Sequence, residues 1–346
     1  MNTITVAVPA YSRPDELGQL IDSVLSADVL PDELLICEDK SPRRAEIRAV
    51  IESMRPRFAA GACALTYIEN EENLGYDGNI RKIITSSASD YVLILGDDDV
   101  LFKEAIPKIR AFVQQHPQAN FISRTFSRFA EQPQNIINTT WIRTSDCVIK
   151  RDDADPNIIF RLCGFVGGLV INRRWASQLA TEEYDGYLYY QFYLACLAYL
   201  GDGIGYISAA IVGGRAGNPP LFGSADSEKD THIPGSYRPK GRAKMWQGLL
   251  AIAADIDKAH GSNIYPYIRN ELAGRQAYHI FEMMPAQGRA ATLDLFHELR
   301  RLKLTHKAMP WLLTSYILVF GPYARIGFAL SRRLQFAIEQ HAGLKL

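Results

Sequence analysis

The chain has 346 residues, 47% of them hydrophobic and 22% charged, the composition of a globular protein with a sizeable core and not of a disordered or fibrous one. Lys+Arg and Asp+Glu number 38 each, so the formal charge is zero and no basic surplus calls for nucleic acid. The five cysteines (Cys37, Cys63, Cys147, Cys163, Cys196) lack CxxC spacing and lie mostly in apolar contexts, which predicts reduced core thiols and argues against zinc.

The segment Met1 to Pro9 has no charged n-region and too short an apolar run for a signal peptide. Thr3 to Val8 reads instead as a first strand, and a cytoplasmic protein is expected. Pro14 to Ser26 is a helix opened by Pro and acids in its first turn. Glu33 to Glu38 is a second strand, Arg44 to Arg57 a helix, and Cys63 to Glu69 a third strand. Asn79 to Ser87 is a helix and Tyr91 to Leu95 the fourth strand. A helix from Phe102 to Gln114 and a strand from Ala119 to Ser123 follow. Short apolar strands separated by helices predict an α/β fold, a mostly parallel sheet with helices on both faces.

From about residue 126 the order loosens. Gly164 to Asn172 reads as a glycine-flanked strand, Tyr187 to Leu200 as an apolar, aromatic-rich helix, and Gly201 to Val212 contains a late strand. Gly213 to Gly241, rich in Gly, Pro, Ser and Asp, is a long flexible stretch that reads as a cover over substrate. The expected division is a domain over 1–240 and a helical C-terminal region over 241–346.

The apolar run Ala308 to Leu330 could nominally span a bilayer, but Gly321-Pro322 interrupts it and Arg325 charges it. With Lys303, His306 and Lys307 before it and Arg332 and Arg333 after it, two readings stand. One is a pair of basic-flanked helices on a membrane surface. The other is a helical tail packed on the domain or forming a homodimer.

The chemistry concentrates where the run Tyr91-Val-Leu-Ile-Leu95 stops in Asp97, Asp98 and Asp99. Three adjacent carboxylates repel one another unless a cation compensates, and their oxygens are the hard ligands that Mg²⁺ or Mn²⁺ prefers. The plainer alternative is a solvated turn capping the next helix. The carboxyl ends of strands are where open α/β sheets place ligands, which favours the ion.

Pro9-Ala-Tyr-Ser-Arg-Pro14, Glu38-Asp-Lys-Ser41, Asn73-Leu-Gly-Tyr-Asp-Gly-Asn-Ile-Arg81 and Asp97-Asp-Asp99 occur in that order over about 100 residues. Together they resemble the family 2 glycosyltransferases, enzymes of the Rossmann-like GT-A fold that use nucleotide-sugar donors. The resemblance implies that Ala10 and Tyr11 border the nucleobase, Tyr11 stacking on it, and that Asp39 accepts a hydrogen bond from it. Arg81 would lie near the base or diphosphate, and Asn73 and Gly75 would shape the turn beside the sugar nucleotide. Pro9, Arg13 and Asn79 belong to the same nucleotide-sugar group. Gly96 stands where the family has its first Asp. Asp98 falls on the metal position, Asp97 could take over the ribose contact, and Asp99 could be a second metal or sugar contact.

Further along the resemblance is thinner. Gly164 to Trp175 looks like the family's acceptor-side strand. The family's Glu-Asp pair is replaced by Thr181-Glu-Glu-Tyr-Asp185, so the catalytic base candidates are Glu183, then Asp185, then Glu182. Ile211 to Pro219 resembles a segment of abequosyltransferase-like members that build bacterial O-antigen, where a loop closes over the diphosphate. Arg215 would then bind phosphate. His232 is either a further metal ligand or a solvated loop histidine. The resemblance implies a metal-dependent, inverting transferase acting on a saccharide acceptor, polyprenyl-diphosphate-linked, at the inner face of the plasma membrane. The alternatives are a catalytically inactive scaffold on the same fold and a nucleotidyltransferase, against which the absence of a Gly-rich phosphate loop after the first strand speaks.

Overall fold

A computed structural model of the chain describes residues 2–59, 61–229, 232–234 and 237–342, with side chains as far as 334. It divides into two compact units, residues 1–235 and 236–346. In the first, strands β1 (Ile4–Ala10), β2 (Glu33–Glu38), β3 (Ala64–Glu69) and β4 (Tyr91–Ile94) form a parallel half-sheet in the order β3-β2-β1-β4. Every residue of β2 is buried, which is why it reads as a nearly unbroken apolar run. Among the helices α1 (Pro14–Leu25), α2 (Arg44–Met54), α3 (Gly75–Ser86) and α4 (Ala105–Gln115), three share one face of the sheet. Leu17, Leu20 and Ile21 of α1, Ile47 and Ile51 of α2, and Ile109 and Phe112 of α4 close over Val6, Val8, Leu34, Ile36 and Leu93. α3 packs against β1 and β2 and buries Ile80, Ile83 and Ile84.

The rest of the sheet is built from β5 (Val100–Leu101), β6 (Phe121–Phe129), β7 (Ile136–Thr140), β8 (Cys147–Ile149), β9 (Val170–Asn172) and β10 (Ile204–Arg215), with helices α5 (Asn157–Cys163), α6 (Arg173–Gln178) and α7 (Tyr190–Leu200) between them. β9 lies antiparallel between β4 and β6, while β10 is parallel to β6 and antiparallel to β5 and β8. The expected parallel pairing therefore holds for the first four strands, and the remainder is mixed. β6 and β7 form a hairpin, which needs only a short turn where a parallel pair needs a crossover.

Several boundaries shift for local reasons. The helix expected from Asn79 begins at Gly75, because Asn73 Oδ1 accepts from Gly75 N (3.0 Å) and Glu228 Oε1 from Tyr76 N (2.7 Å), satisfying first-turn donors. The helix expected from Phe102 begins at Ala105, since Val100 and Leu101 pair with Gly213 and Val212. The helix expected from Tyr187 begins at Tyr190, because Leu188 has a φ of +62°, outside helical space. The stretch expected as flexible from Gly213 to Gly241 gives its first residues to β10 and its last to a helix, and Asp230, Thr231, Gly235 and Ser236 lie outside the described residues.

The second unit is helical. α8 (Pro239–His260) ends at the left-handed Gly261, with φ of +62°. α9 (Ile264–Glu271) continues through a π-helical turn, Leu272–Gln276, into α10 (Ala277–Phe281), followed by α11 (Met284–Arg301), α12 (Ala308–Phe320) and α13 (Ala324–Ala342). α8 packs on α9 and α11, and α12 on α10 and α11. Trp246, Leu249, Ile268, Phe281, Leu295, Leu299 and Ile317 are buried within it.

Candidate active site

The carboxyl ends of β1, β4 and β10 converge on the acidic turn. Asp99 N donates to Gly96 O at 3.0 Å, closing the turn, and Asp99 folds back over Gly96. A Cβ at Gly96 would stand 2.8 Å from Asp99 Oδ2, so the glycine is needed here for close approach. A Cβ at Gly167 would overlap the same oxygen.

Each acid has a different task. Asp97 is buried and braces the turn after β1: Oδ2 accepts from Tyr11 N at 2.8 Å and Oδ1 from Arg13 Nη1 at 2.9 Å. Both of its oxygens are thus engaged by the protein. Asp98 is the more open acid; its Oδ2 accepts from Asn218 Nδ2 at 2.8 Å and lies 3.1 Å from Arg13 Nη1. Asp99 is buried, and its Oδ1 accepts from Arg215 N at 3.2 Å. Burial raises the pKa of both Asp97 and Asp99, and the charge of Asp98 raises both further. Arg13 offsets this at Asp97.

Among the described residues no donor reaches Asp98 Oδ1 or Asp99 Oδ2. None gathers three His, Cys, Asp or Glu side chains into a complete ion cage either. An all-oxygen pair with excess negative charge suits Mg²⁺ or Mn²⁺, which are held by one or two carboxylates plus substrate phosphates and water. The residues present fit such an ion.

Arg215 is more heavily committed than a free phosphate clamp would be. Its Nε donates to Asp98 O (3.2 Å), Nη1 to Glu131 O (2.8 Å) and Nη2 to Gln19 Oε1 (2.6 Å), and the guanidinium lies 4.8 Å from the Phe129 ring centre. It braces the acidic turn from behind. Arg13, whose Nη2 also donates to Pro219 O at 2.6 Å, is the cation closest to the acids.

The second cluster lies where β2 meets α3. Asp39 is buried; its Oδ1 accepts from Asn70 Nδ2 (2.7 Å) and Leu74 N (2.8 Å), and burial raises its pKa despite these donors. Asn73 closes an Asx turn on Gly75, whose φ of +73° and contact with Glu228 leave no room for a side chain. Asn79 is buried and donates to Cys37 O at 3.2 Å, tying α3 to β2. Arg81 forms a two-pronged pair with Asp185 and donates to Thr181 O at 3.0 Å. Of the three base candidates, Asp185 is therefore held by Arg81, Glu182 lies 3.5 Å from Arg81, and Glu183 projects into solvent with no ion partner among the described residues.

His232 is buried with its ring edge-on to Phe222, 5.4 Å between centres, and its backbone N–H donates to the backbone O of Glu228. It sits beside Glu228, the residue that returns the late loop to α3.

Several residues that shape the site were not apparent from the sequence. Asp77 is buried inside the quoted Asn73 to Arg81 motif and accepts from Leu188 N and Tyr190 N. Arg124 is buried under the Gly164 to Gly167 turn, donating to Phe165 O (2.8 Å) and Gly167 O; burial lowers its pKa to about 9 against the pull of Asp99. Asn218 stands within the quoted late segment, and Glu228 in the flexible stretch that reads as a cover over substrate.

Comparison with known proteins follows the same line. The family model described as "Glycosyl transferase family 2" matches residues 5–179. Abequosyltransferase RfbV of Salmonella typhimurium is 22% identical over 226 residues, covering 62% of this chain and 67% of the relative. An uncharacterized glycosyltransferase of Haemophilus influenzae is 29% identical over 119 residues, 34% of this chain and 37% of that protein. In architecture the chain resembles S. aureus TarS 1-349 solved in complex with UDP-GlcNAc, with a TM-score of 0.60 and 15% identity over 94% of this chain and 89% of the other. TarS 1-349 in complex with UDP gives a TM-score of 0.58 over 96% and 91%.

Proposed function

The chain belongs to glycosyl transferase family 2 and is a glycosyltransferase of the GT-A fold, and from that premise we propose a metal-dependent, inverting reaction. A sugar moves from a nucleoside diphosphate to a hydroxyl of a saccharide acceptor. The observation that carries this reading is the acidic turn at the carboxyl end of β4, with Arg13 beside Asp98 and with Asp98 Oδ1 and Asp99 Oδ2 engaged by no donor among the described residues.

Tyr11 would stack on the base and Asp39 accept from it, both at strand ends that the sheet holds rigid. Pro9 and Ala10 shape the approach, and Asn73 and Gly75 set the turn beside the sugar nucleotide. Asn79 and Asp97 serve by fixing α3 and the β1–α1 turn, on which these contacts depend. Asp98 and Asp99 would hold Mn²⁺ or Mg²⁺. When bound, the ion supplies positive charge that stabilises the departing diphosphate. Arg13 adds charge on the same side.

Glu183 is the carboxylate free to take the acceptor proton. The acceptor oxygen forms its bond to the anomeric carbon, the bond to the diphosphate oxygen breaks, and its electron pair leaves with the nucleoside diphosphate. Gly164 and Gly167 give the acceptor a backbone surface to approach. The likeness to an abequosyltransferase supports a lipid-linked acceptor in O-antigen or capsule assembly, with the enzyme working on the cytoplasmic side.

Thermal-shift binding of UDP, GDP, CDP and dTDP, each with Mn²⁺, Mg²⁺ or EDTA, tests this on wild type and Asp98→Ala. One diphosphate should stabilise the protein with metal and lose that effect in the variant. Failure of every diphosphate under every metal condition would overturn the donor site.

A further inference from the structure

Helices α12 and α13 bury one apolar face and leave a second one uncovered. Pro310, Thr314 and Ile317 of α12, and Ala324 and Phe328 of α13, are buried at three- and four-residue spacing within the second unit. A second set, at the same spacing, points away from it. Leu312 is 64% exposed, Val319 68%, Tyr323 75% and Leu334 63%, with Met309, Phe320, Ile326 and Leu330 also exposed. A helix on a water-facing surface keeps its outer face polar. A contiguous apolar face of this kind marks an interaction surface.

The break at Gly321 (φ +54°, ψ −131°), followed by Pro322, separates the two helices. Ala308–Leu334 is long and apolar enough by composition to cross a membrane, with 28% of its most apolar window buried. A spanning helix broken at its middle would leave backbone groups unsatisfied in hydrocarbon. The packed inner face and the break instead suit helices lying along a surface.

The charge pattern selects the occupant. Between 303 and 334 the sequence holds Lys303, Lys307, Arg325, Arg332 and Arg333 and no Asp or Glu. All five are exposed, and Arg332 is paired with Glu282 from α10's end. In a two-fold dimer this patch would meet itself, placing Lys303, Lys307, Arg325 and Arg333 of one copy against those of the other with no acid of the patch to pair them. An anionic headgroup layer takes both features, the apolar side chains entering the acyl boundary and the cations meeting phosphate. Trp311 and Tyr323 are the amphipathic aromatics that such a boundary favours. We propose that the α12–α13 face docks in the plane of an anionic lipid bilayer.

The test uses the full chain, sedimented with vesicles of phosphatidylcholine alone or mixed with phosphatidylglycerol, at low and high salt. Two variants accompany it: Leu312→Ser with Val319→Ser and Leu330→Ser, and Arg325→Glu with Arg333→Glu. Far-UV circular dichroism and thermal-shift response to nucleotide report whether each is folded, and keep this outcome separate from that of the donor site. Wild type should pellet with anionic vesicles and be released by salt, and each basic residue lost should weaken binding about fivefold. Removing the apolar side chains should weaken it further. Wild type left in the supernatant with anionic vesicles at low salt overturns the proposal. So does a dimer that the apolar variant converts to monomer while wild type ignores vesicles, which assigns the face to a second copy.

Discussion

Asn218 Nδ2 donates to Asp98 Oδ2 at 2.8 Å, joining the loop after β10 to the acidic turn after β4. The neighbouring Pro219 O accepts from Arg13 at 2.6 Å, so the loop is fastened to both the acid and its cation. A divalent ion held by Asp98, as proposed above, would compete with Asn218 for the charge of that carboxylate.

Asn218→Ala should therefore bind Mn²⁺ more tightly, by about tenfold, since a hydrogen bond to a charged group is worth on the order of 1.5 kcal/mol or more. Titration of Mn²⁺ in the presence of the preferred nucleoside diphosphate reads this directly. Weaker Mn²⁺ binding would show that Asn218 supports the ion and does not compete with it.

Gly96→Asp restores the acid that the family carries at that position, yet it should damage this chain. Its Cβ would meet Asp99 Oδ2 at 2.8 Å and bring a fourth carboxylate into the turn. Overpacking of this kind costs about 2 kcal/mol, a melting-point drop of roughly 4–8 °C. A variant as stable as wild type, with higher activity, would mean that the Asp99 side chain turns away without penalty.

The two halves of the sheet were unequally legible for a physical reason. β1 to β4 are short buried runs whose character is local, so Val6, Leu34 and Leu93 announce strands without knowledge of their neighbours. The end-of-strand motifs are equally local, which is why the Asp97 to Asp99 turn and the Asn73-Leu-Gly75 turn could be read directly. What could not be read is who answers them. Asp97 is held by Tyr11, 86 residues away, and Arg81 by Asp185, 104 residues away. Glu228 is one unremarked acid of a flexible stretch until Tyr76, 152 residues earlier, supplies its donor. β7 and β8 escaped notice because one is largely exposed and the other only three residues long.

Glu183 and Asp185 are separable by experiment because one is free and the other is paired. Glu183→Gln should lower kcat by about 10²- to 10⁴-fold with KM little changed, as expected when a general base is lost. Asp185→Asn should instead unfasten Arg81 and the segment at Thr181, costing on the order of 1–2 kcal/mol of stability. Steady-state kinetics beside melting curves decide the matter. An Asp185→Asn protein with wild-type stability and no turnover would exchange the two roles.

Asp77 gives the protein a pH-dependent stability that a solvated acid would not. It is buried in the first turn of α3, and its carboxyl accepts from Leu188 N at 2.7 Å and Tyr190 N at 2.9 Å, tying α3 to the start of α7. Burial pushes its pKa from 3.8 up to about 7, with the two amides pulling it down and Glu228 and Asp185 adding to the rise. The folded chain thus keeps a proton that the unfolded chain has already lost, so the contribution is full below about pH 4 and lost as pH rises through 7. Between about pH 5 and pH 7 the loss should be about 2 kcal/mol. Asp77→Asn cannot exchange that proton and should flatten the slope. It should also be less stable at low pH, because its amide offers one acceptor to two N–H donors. Urea unfolding of both proteins from about pH 5 to pH 8 measures the difference. If the gap between them stays constant over that range, the carboxylate is ionised throughout and the two amide donors outweigh the cost of burial.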